Sequence, residues 1–142
     1  MTIDEIVSDL EFLDDWEDRY RYLIDLGRSL EPLQDGERTA ANKVQGCVSQ
    51  VWLVTKVERS EAGSPRLTFR GDSDAMIVRG LVALLLSIFS GKTPREIHRI
   101  DAAAIFKRLG LGEHLTPQRS NGLNSMVNRL RADAARARSM AV

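Results

Sequence analysis

The segment from Ala75 to Phe89 constrains the fold most, because it is apolar on nearly every side and contains one charged residue, Arg79. It is shorter than the roughly 20 apolar residues that a helix needs to cross a bilayer. A helix that is apolar all round is typically buried in a protein core. We therefore expect a central helix that packs under a sheet and against other helices and ends at Gly91.

Sequence signals for helix starts occur on both sides of this segment. Threonine, serine or aspartate before an apolar periodic stretch accepts hydrogen bonds from the first helical amides, and proline suits the first helical position. By these criteria helices begin at Thr2, Asp14 or Asp15, Ser73, Thr93, Asp101 and Thr116. The first two helices should form a hairpin that ends near Leu30.

The middle of the chain has the composition of β-strands. Residues 49–57 are rich in valine, leucine, tryptophan and threonine, and residues 66–70 follow the turn at Ala62–Pro65. Such stretches favour strands, and the short separation favours antiparallel pairing. A third short strand at residues 43–45 would leave Gly46 and Cys47 at a bend.

A length of 142 residues suits a single domain, which we place at residues 1–142. Strands in the middle and helices at both ends predict the α+β class. The expected architecture is a small antiparallel three-stranded sheet with helices packed on one face.

Composition excludes several classes of protein. Apolar residues make up 43% of the chain, and 20 basic residues balance 20 acidic ones, which argues against disorder and against nucleic-acid binding. The acidic N-terminal region and the basic C-terminal region could orient a protein partner or form solvated helix faces. The N-terminus lacks the pattern of a targeting peptide, so we expect a cytoplasmic protein without a membrane anchor.

Cys47 is the only cysteine, so no internal disulfide can form, as suits a reducing compartment. It lies in the stretch VQGCVSQVW, residues 44–52. A lone cysteine is either a small buried apolar residue or a nucleophile, and these residues alone leave both open. A thiol hydrolase would need a nearby base, and the two histidines, His98 and His114, are distant in sequence.

No metal or cofactor site is expected. One cysteine and two scattered histidines do not form the ligand pairs of zinc sites. An iron–sulfur cluster bound by this chain alone would usually need four cysteine thiolates. No glycine-rich nucleotide loop occurs. Asp72 and Asp74 suit either helix capping or acid–base chemistry, and Arg119 stands at a helix start, where a cation is slightly unfavourable, which hints at a role outside the helix.

Three separated blocks resemble the signature blocks of the SufE family. They are residues 44–53, VQGCVSQVWL; residues 71–81, which contain GDSDA and IVRGL; and residues 114–123, HLTPQRSNGL. Their order and spacing also agree with the family. The resemblance extends from the helix at Trp16 to the last helix.

The resemblance implies a sulfur carrier. In such a protein Cys47 accepts a persulfide sulfur from a SufS-like cysteine desulfurase, an enzyme that itself uses pyridoxal phosphate, and stimulates it. The sulfur then passes to a SufBCD-like scaffold for iron–sulfur cluster assembly. The chain would be an accessory protein without a cofactor of its own, and Asp72, Asp74 and Arg119 would support the Cys47 loop or dock the partner.

The resemblance also implies the fold of IscU-type scaffold proteins, but a single cysteine favours transfer over a scaffold role. Two alternatives stay open, a stand-alone thiol enzyme such as a peroxidase or hydrolase and a non-catalytic interaction module. The sequence is compatible with more than one desulfurase and final acceptor, and with either a monomer or a homodimer. We expect Cys47 to be protected in the free protein and exposed on binding.

Overall fold

The computed structural model describes residues 2–59, 63 and 65–140. Within them the chain forms seven α-helices and one two-stranded sheet. The elements are α1 Ile3–Phe12, α2 Trp16–Arg28, β1 Val51–Glu58, β2 Arg66–Ser73, α3 Met76–Phe89, α4 Pro94–Arg99, α5 Ala102–Arg108, α6 Leu111–His114 and α7 Pro117–Met140. A single turn of 3-10 helix, Asp35–Glu37, lies between α2 and β1.

Several predicted helix starts are confirmed by their capping contacts. The Thr2 hydroxyl accepts from the amide of Glu5 at 3.2 Å, and the Asp15 carboxylate accepts from Glu17 at 2.9 Å. Side chains at Thr93, Asp101 and Thr116 likewise accept from amides at the starts of α4, α5 and α7. These contacts satisfy donors that have no partner inside the helix.

The central helix is confirmed, because α3 supplies the largest set of buried side chains in one element. Leu81, Val82, Leu84 and Leu85 are fully buried. Helix α3 crosses α2 so closely that a Cβ at Gly27 would lie 2.7 Å from the backbone nitrogen of Gly80. Two facing glycines therefore let the backbones of the two helices touch.

The sheet pairs β1 and β2 in antiparallel register, from Val51 opposite Ser73 to Glu58 opposite Arg66. Alternation places Leu53 and Phe69 on the face that meets the core. A Cβ at Gly71 would lie 2.7 Å from Val82 Cγ1, so α3 packs directly on this face. The predicted turn at Ala62–Pro65 lies partly outside the described residues.

The predicted third strand at residues 43–45 is wrong in the part of the chain that is described. Lys43 forms only an isolated antiparallel bridge with Trp52. Turns at residues 40–42 and 45–46 leave just Lys43 and Val44 extended between them. Two residues are too few to build a strand, so the sheet has two strands and one attached segment.

The predicted end of the sheet at Gly71 and the helix cap at Ser73 are also wrong. Pairing with β1 keeps residues 71–73 extended, and α3 begins after Ala75, which makes no side-chain cap. The Ser73 hydroxyl still accepts a hydrogen bond from the amide of Ala75 at 3.3 Å. The short helix α6, which follows Gly110 with φ of 70°, was not expected.

Candidate functional site

The thiol of Cys47 lies on a short loop between the sheet and α7. We call residues 45–50 the acceptor loop and residues 41–44 its stem. Gly46 has φ of 89°, a conformation that favours glycine, and a Cβ there would lie 2.5 Å from Ser125 Oγ of α7. Glycine at position 46 thus permits both the bend and the close approach to the helix.

Cys47 rests on the N-terminal part of α7. Its Sγ donates a weak hydrogen bond to the carbonyl oxygen of Gly122 at 3.5 Å. A Cβ at Gly122 would lie 3.4 Å from that sulfur, so the missing side chain at position 122 leaves room for the thiol. The side chain of Cys47 is half-buried in this position.

A small cavity adjoins the thiol. It has a volume of about 30 Å³ and is lined by Cys47 and Val48 of the loop, Val78 and Leu81 of α3, and Arg119 and Met126 of α7. A cavity of that size holds about one water molecule. The cavity therefore has room for about one further heavy atom near Sγ.

Burial raises the pKa of the Cys47 thiol above its ordinary value. Desolvation disfavours the charged form of a group, so the thiolate is less populated here than on an exposed cysteine. Because the thiolate is the nucleophile, this burial lowers the reactivity of Cys47 relative to an exposed cysteine at the same pH.

Apolar side chains are exposed on the two segments beside the thiol. Val48, the next residue after Cys47, is 83% exposed, and Met76, the first residue of α3, is 62% exposed. Two apolar side chains on neighbouring segments are therefore open to solvent beside the thiol.

Asp74 connects these two segments. Its Oδ1 accepts from the amide of Gln50 at 3.0 Å, and its own amide donates to the carbonyl of Gln50 at 3.3 Å. The end of the acceptor loop is thereby attached to the start of α3. Loss of these two hydrogen bonds would detach the end of the loop that leads into β1.

Arg119 lies at the rim of the cavity, on the first turn of α7. Its amide donates to Thr116 Oγ1 at 3.3 Å, and its side chain is exposed. Across residues 2–59, 63 and 65–140 it takes part in no ion pair. Its positive charge is thus available beside the thiol.

Asp72 does not belong to this cluster. Its carboxylate lies 3.0 Å from Arg38 Nη2 and 2.9 Å from Arg79 Nε. These ion pairs join β2 to the segment before the stem and to α3. The structure therefore brings Asp74 and Arg119 to the Cys47 site and places Asp72 in a structural ion-pair cluster.

Sequence reasoning missed four contact residues of α7: Gly122, Ser125, Arg129 and Asp133. They are separated by three or four positions, so they lie on one face of the helix. Arg129 Nη2 donates to the carbonyl of Ala41 at 2.6 Å, and its Nη1 donates to that of Lys43 at 3.3 Å. The helical spacing was visible in the sequence, but its orientation toward the loop was not.

The other titratable candidates lie elsewhere. The ring of His114 stacks on Trp16 with ring centroids 3.9 Å apart. Among the described residues, no group of three or more histidine, cysteine or carboxylate side chains is arranged to hold a metal ion. In the same part of the chain, no helix is both long and apolar enough to cross a membrane.

The chain is similar to known proteins over nearly its whole length. The SufE family, described as an Fe-S metabolism associated domain, matches residues 4–134. An uncharacterized SufE-like protein of Rhizobium meliloti (strain 1021) is 57% identical over 133 residues, which cover 94% of both chains. A second uncharacterized SufE-like protein, from Rhizobium etli (strain ATCC 51251), is 55% identical over 94% of this chain and 89% of its own.

The fold is also similar to a solved structure, the solution structure of a hypothetical protein from Thermus thermophilus. The TM-score is 0.71, the sequence identity is 22%, and the alignment covers 98% of this chain and 99% of the other. At this identity the similarity concerns the fold alone. With the family match over nearly the whole sequence, the chain belongs to the SufE family and is associated with iron–sulfur metabolism.

Proposed function

We propose that this protein is a sulfur acceptor that takes a persulfide sulfur onto Cys47 from a SufS-like cysteine desulfurase. The observation that carries the proposal is the placement of the only thiol beside a cavity of about 30 Å³, with Gly122 beneath it. The cavity suits one added sulfur atom. The family's association with Fe–S metabolism gives the transferred sulfur a destination, a SufBCD-like scaffold.

The transfer is a thiol exchange in which the Cys47 thiolate attacks the outer sulfur of the desulfurase persulfide. A new S–S bond forms at Cys47, and the S–S bond of the desulfurase breaks. The desulfurase cysteine leaves as a thiolate and takes up the proton that Cys47 lost. No electrons are gained or lost overall, so the step needs no separate oxidant or reductant.

Protection and transfer need opposite exposures of the same sulfur. With the loop closed, the added sulfur would occupy the cavity, away from other thiols and oxidants. A partner that binds the open loop more tightly shifts the population toward it. The raised pKa of Cys47 supports this scheme, because the closed thiol reacts slowly until the partner opens it.

The other site residues then have separate roles. Asp74 stabilises the closed loop through Gln50, and Arg119 offers a cation to the incoming partner or to the developing thiolate. Val48 supplies exposed apolar surface for docking. Asp72 supports the sheet edge through Arg38 and Arg79 and acts on the loop only indirectly.

The direct test is incubation with a SufS-like desulfurase and cysteine, followed by intact mass. Wild type should gain about 32 Da, the mass of one sulfur, and lose it on treatment with a reductant. Cys47→Ser keeps the size of the side chain and should gain nothing. The same added mass on the serine variant would refute the assignment of Cys47.

Desulfurase turnover separates the proposal from its alternatives. Wild type should raise the rate at limiting reductant, and Cys47→Ser should not. A thiol hydrolase or peroxidase would instead show turnover without the desulfurase. An interaction module would stimulate the desulfurase equally well with serine at position 47.

A further inference from the structure

Arg129 joins α7 to the stem of the acceptor loop. Its guanidinium donates to the carbonyl oxygens of Ala41, at 2.6 Å, and Lys43, at 3.3 Å. Its Nε donates to Asp133 Oδ1 at 3.2 Å, one turn further along the same helix. One side chain therefore contacts two carbonyls on the segment that leads directly to Cys47.

The stem is paired on both of its edges. On one edge, the amide of Val44 donates to the carbonyl of Val51 at 2.8 Å, and the carbonyl of Asn42 accepts from Leu53 at 2.9 Å. These two bonds attach the stem to β1. The carbonyls of Ala41 and Lys43 point the other way, where Arg129 takes the place of a further strand.

Asp133 fixes the orientation of Arg129. It is 7% exposed, and its Oδ2 accepts from Thr55 Oγ1 of β1 at 2.6 Å. It also pairs with the guanidinium of Arg136. A buried carboxylate is costly unless it is paired, so Asp133 holds the guanidinium in place. Arginine suits this position better than lysine because its planar group donates in several fixed directions.

We propose that Arg129 is a positioning residue for the acceptor loop. It keeps the stem attached to α7, so that opening is confined to residues 45–50 and Cys47 moves without displacement of the sheet. Without it, the stem could separate from α7 and the thiol would be exposed more often. The effect of Arg129 on sulfur transfer rests on the proposed function. Its effect on the exposure of Cys47 does not, because that exposure is a property of the free protein.

The test is the rate at which a bulky maleimide alkylates Cys47 in the folded protein, measured over a range of low urea concentrations. Global unfolding exposes much surface and depends steeply on urea, whereas local opening depends on it weakly. Arg129→Gln should raise the urea-independent rate by about tenfold, which corresponds to about 1.4 kcal/mol in the opening equilibrium. A purely structural role for Arg129 would raise only the steep, urea-dependent limb.

Arg131→Gln is the matched control. Arg131 lies on the same helix and also donates to a backbone carbonyl, that of Ile100 at 2.8 Å, but this carbonyl is not in the stem. Its urea-independent alkylation rate should equal that of wild type. An equal rise in both variants, or no rise for Arg129→Gln, would overturn the proposal.

Arg129→Lys covers the case in which the glutamine variant does not fold. Lysine keeps the charge next to Asp133 but cannot donate to both carbonyls in the fixed geometry of a guanidinium. The urea-independent alkylation rate of this variant should lie between the rate of wild type and that of an unfolded peptide that contains the cysteine. A wild-type rate in this folded variant would contradict the proposal.

Sulfur loading provides a second, separable measurement. After loading by a desulfurase, the persulfide of Arg129→Lys should be lost to a small thiol faster than that of wild type. If wild type takes up no sulfur, the proposed function fails while the alkylation result still decides the role of Arg129. If both proteins load and lose sulfur at equal rates, the positioning role in transfer is refuted.

Discussion

Helix α3 and the acceptor loop differ in nearly every physical respect, although they contact each other at the Cys47 cavity. Most α3 side chains are buried, and the helix packs against α2 and the sheet. The acceptor loop contains the positive-φ Gly46, the half-buried Cys47 and the exposed Val48. It is held by a few hydrogen bonds, those of Asp74 and Cys47 among them.

The difference indicates that stability and chemistry are carried by separate parts of the molecule. Segments with few buried apolar contacts open locally at low free energy, while core helices open only with global unfolding. Substitutions in α3 should therefore change the free energy of unfolding, and substitutions around the loop should change the exposure of Cys47. Four predictions test this separation.

The largest effect is expected for Leu84→Ala in α3. The side chain is fully buried, and removal of buried methyl groups leaves a cavity that costs roughly 2–5 kcal/mol of unfolding free energy. Urea denaturation followed by circular dichroism measures the loss. Met76→Ala on the same helix, at a 62% exposed position, is the control and should change stability little. Equal stability of the two variants would contradict the burial of α3.

Glycine-to-alanine substitution at positions 80 and 122 compares the two regions with one chemical change. A Cβ at Gly80 would overlap the carbonyl of Leu23, so Gly80→Ala should lower stability by about 1–3 kcal/mol. A Cβ at Gly122 would lie 3.4 Å from Cys47 Sγ, and alanine favours helices over glycine by about 1 kcal/mol. Gly122→Ala should therefore not be destabilised.

The effect of Gly122→Ala should appear at the sulfur site instead, because the new methyl group occupies space beside the Cys47 thiol. The persulfide of Gly122→Ala should be lost to a small thiol faster than that of wild type, as measured by intact mass over time. If Gly122→Ala were destabilised but kept a normal persulfide lifetime, the proposed separation of stability in α3 from chemistry at the acceptor loop would be wrong.

Asp74→Ala should have a smaller effect that is confined to the loop. It removes the exposed hydrogen bond to the amide of Gln50, a contact worth about 0.5–1.5 kcal/mol. Alkylation of Cys47 should rise several-fold in the folded protein, while the urea midpoint changes little. Asp25→Ala removes an exposed carboxylate paired with Arg28 and should leave the alkylation rate unchanged. A rise in both variants would show a general charge effect.

The smallest effect concerns pH. Burial raises the pKa of Cys47 in the folded state, so the folded protein binds a proton more tightly there than the unfolded chain does. The associated stability is fully present below the unfolded pKa of about 8.5 and is lost as pH rises through the higher folded value. Wild type should therefore lose stability relative to Cys47→Ser above that pH. A constant difference between the two from pH 7 to pH 10 would refute the raised pKa.

Local sequence signals predicted the elements that depend on local physics. The capping contacts of Thr2, Asp15 and Thr93 involve residues two or three positions away, and the burial of α3 follows from its composition. The errors occurred where tertiary pairing decided the outcome. Residues 71–73 stay extended because they pair with β1, and residues 43–45 do not form a strand because turns interrupt them on both sides.

The candidate site shows the same limit. Cys47, Asp74 and Arg119 were chosen from the sequence with the help of the family resemblance, and the structure places all three around one cavity or the loop beside it. Asp72 was chosen with them but pairs with Arg38 and Arg79 instead. Arg129 was assigned only to a basic terminal region, because its contact with the stem joins residues far apart in the sequence.

Two contacts with α7 also limit the length of the acceptor loop: that of Cys47 with Gly122 and that of the stem with Arg129. Gly122 and Arg129 are seven residues apart on one helix, a distance of about 10 Å at 1.5 Å per residue. The chain from Lys43 to Cys47 joins these two contacts in four residue steps, which reach at most about 14 Å. Removal of one residue would reduce that reach to about 10 Å and leave no slack for the bend at Gly46. The spacing of the two contacts on α7 therefore sets a minimum length for this loop, so an insertion should be tolerated far better than a deletion.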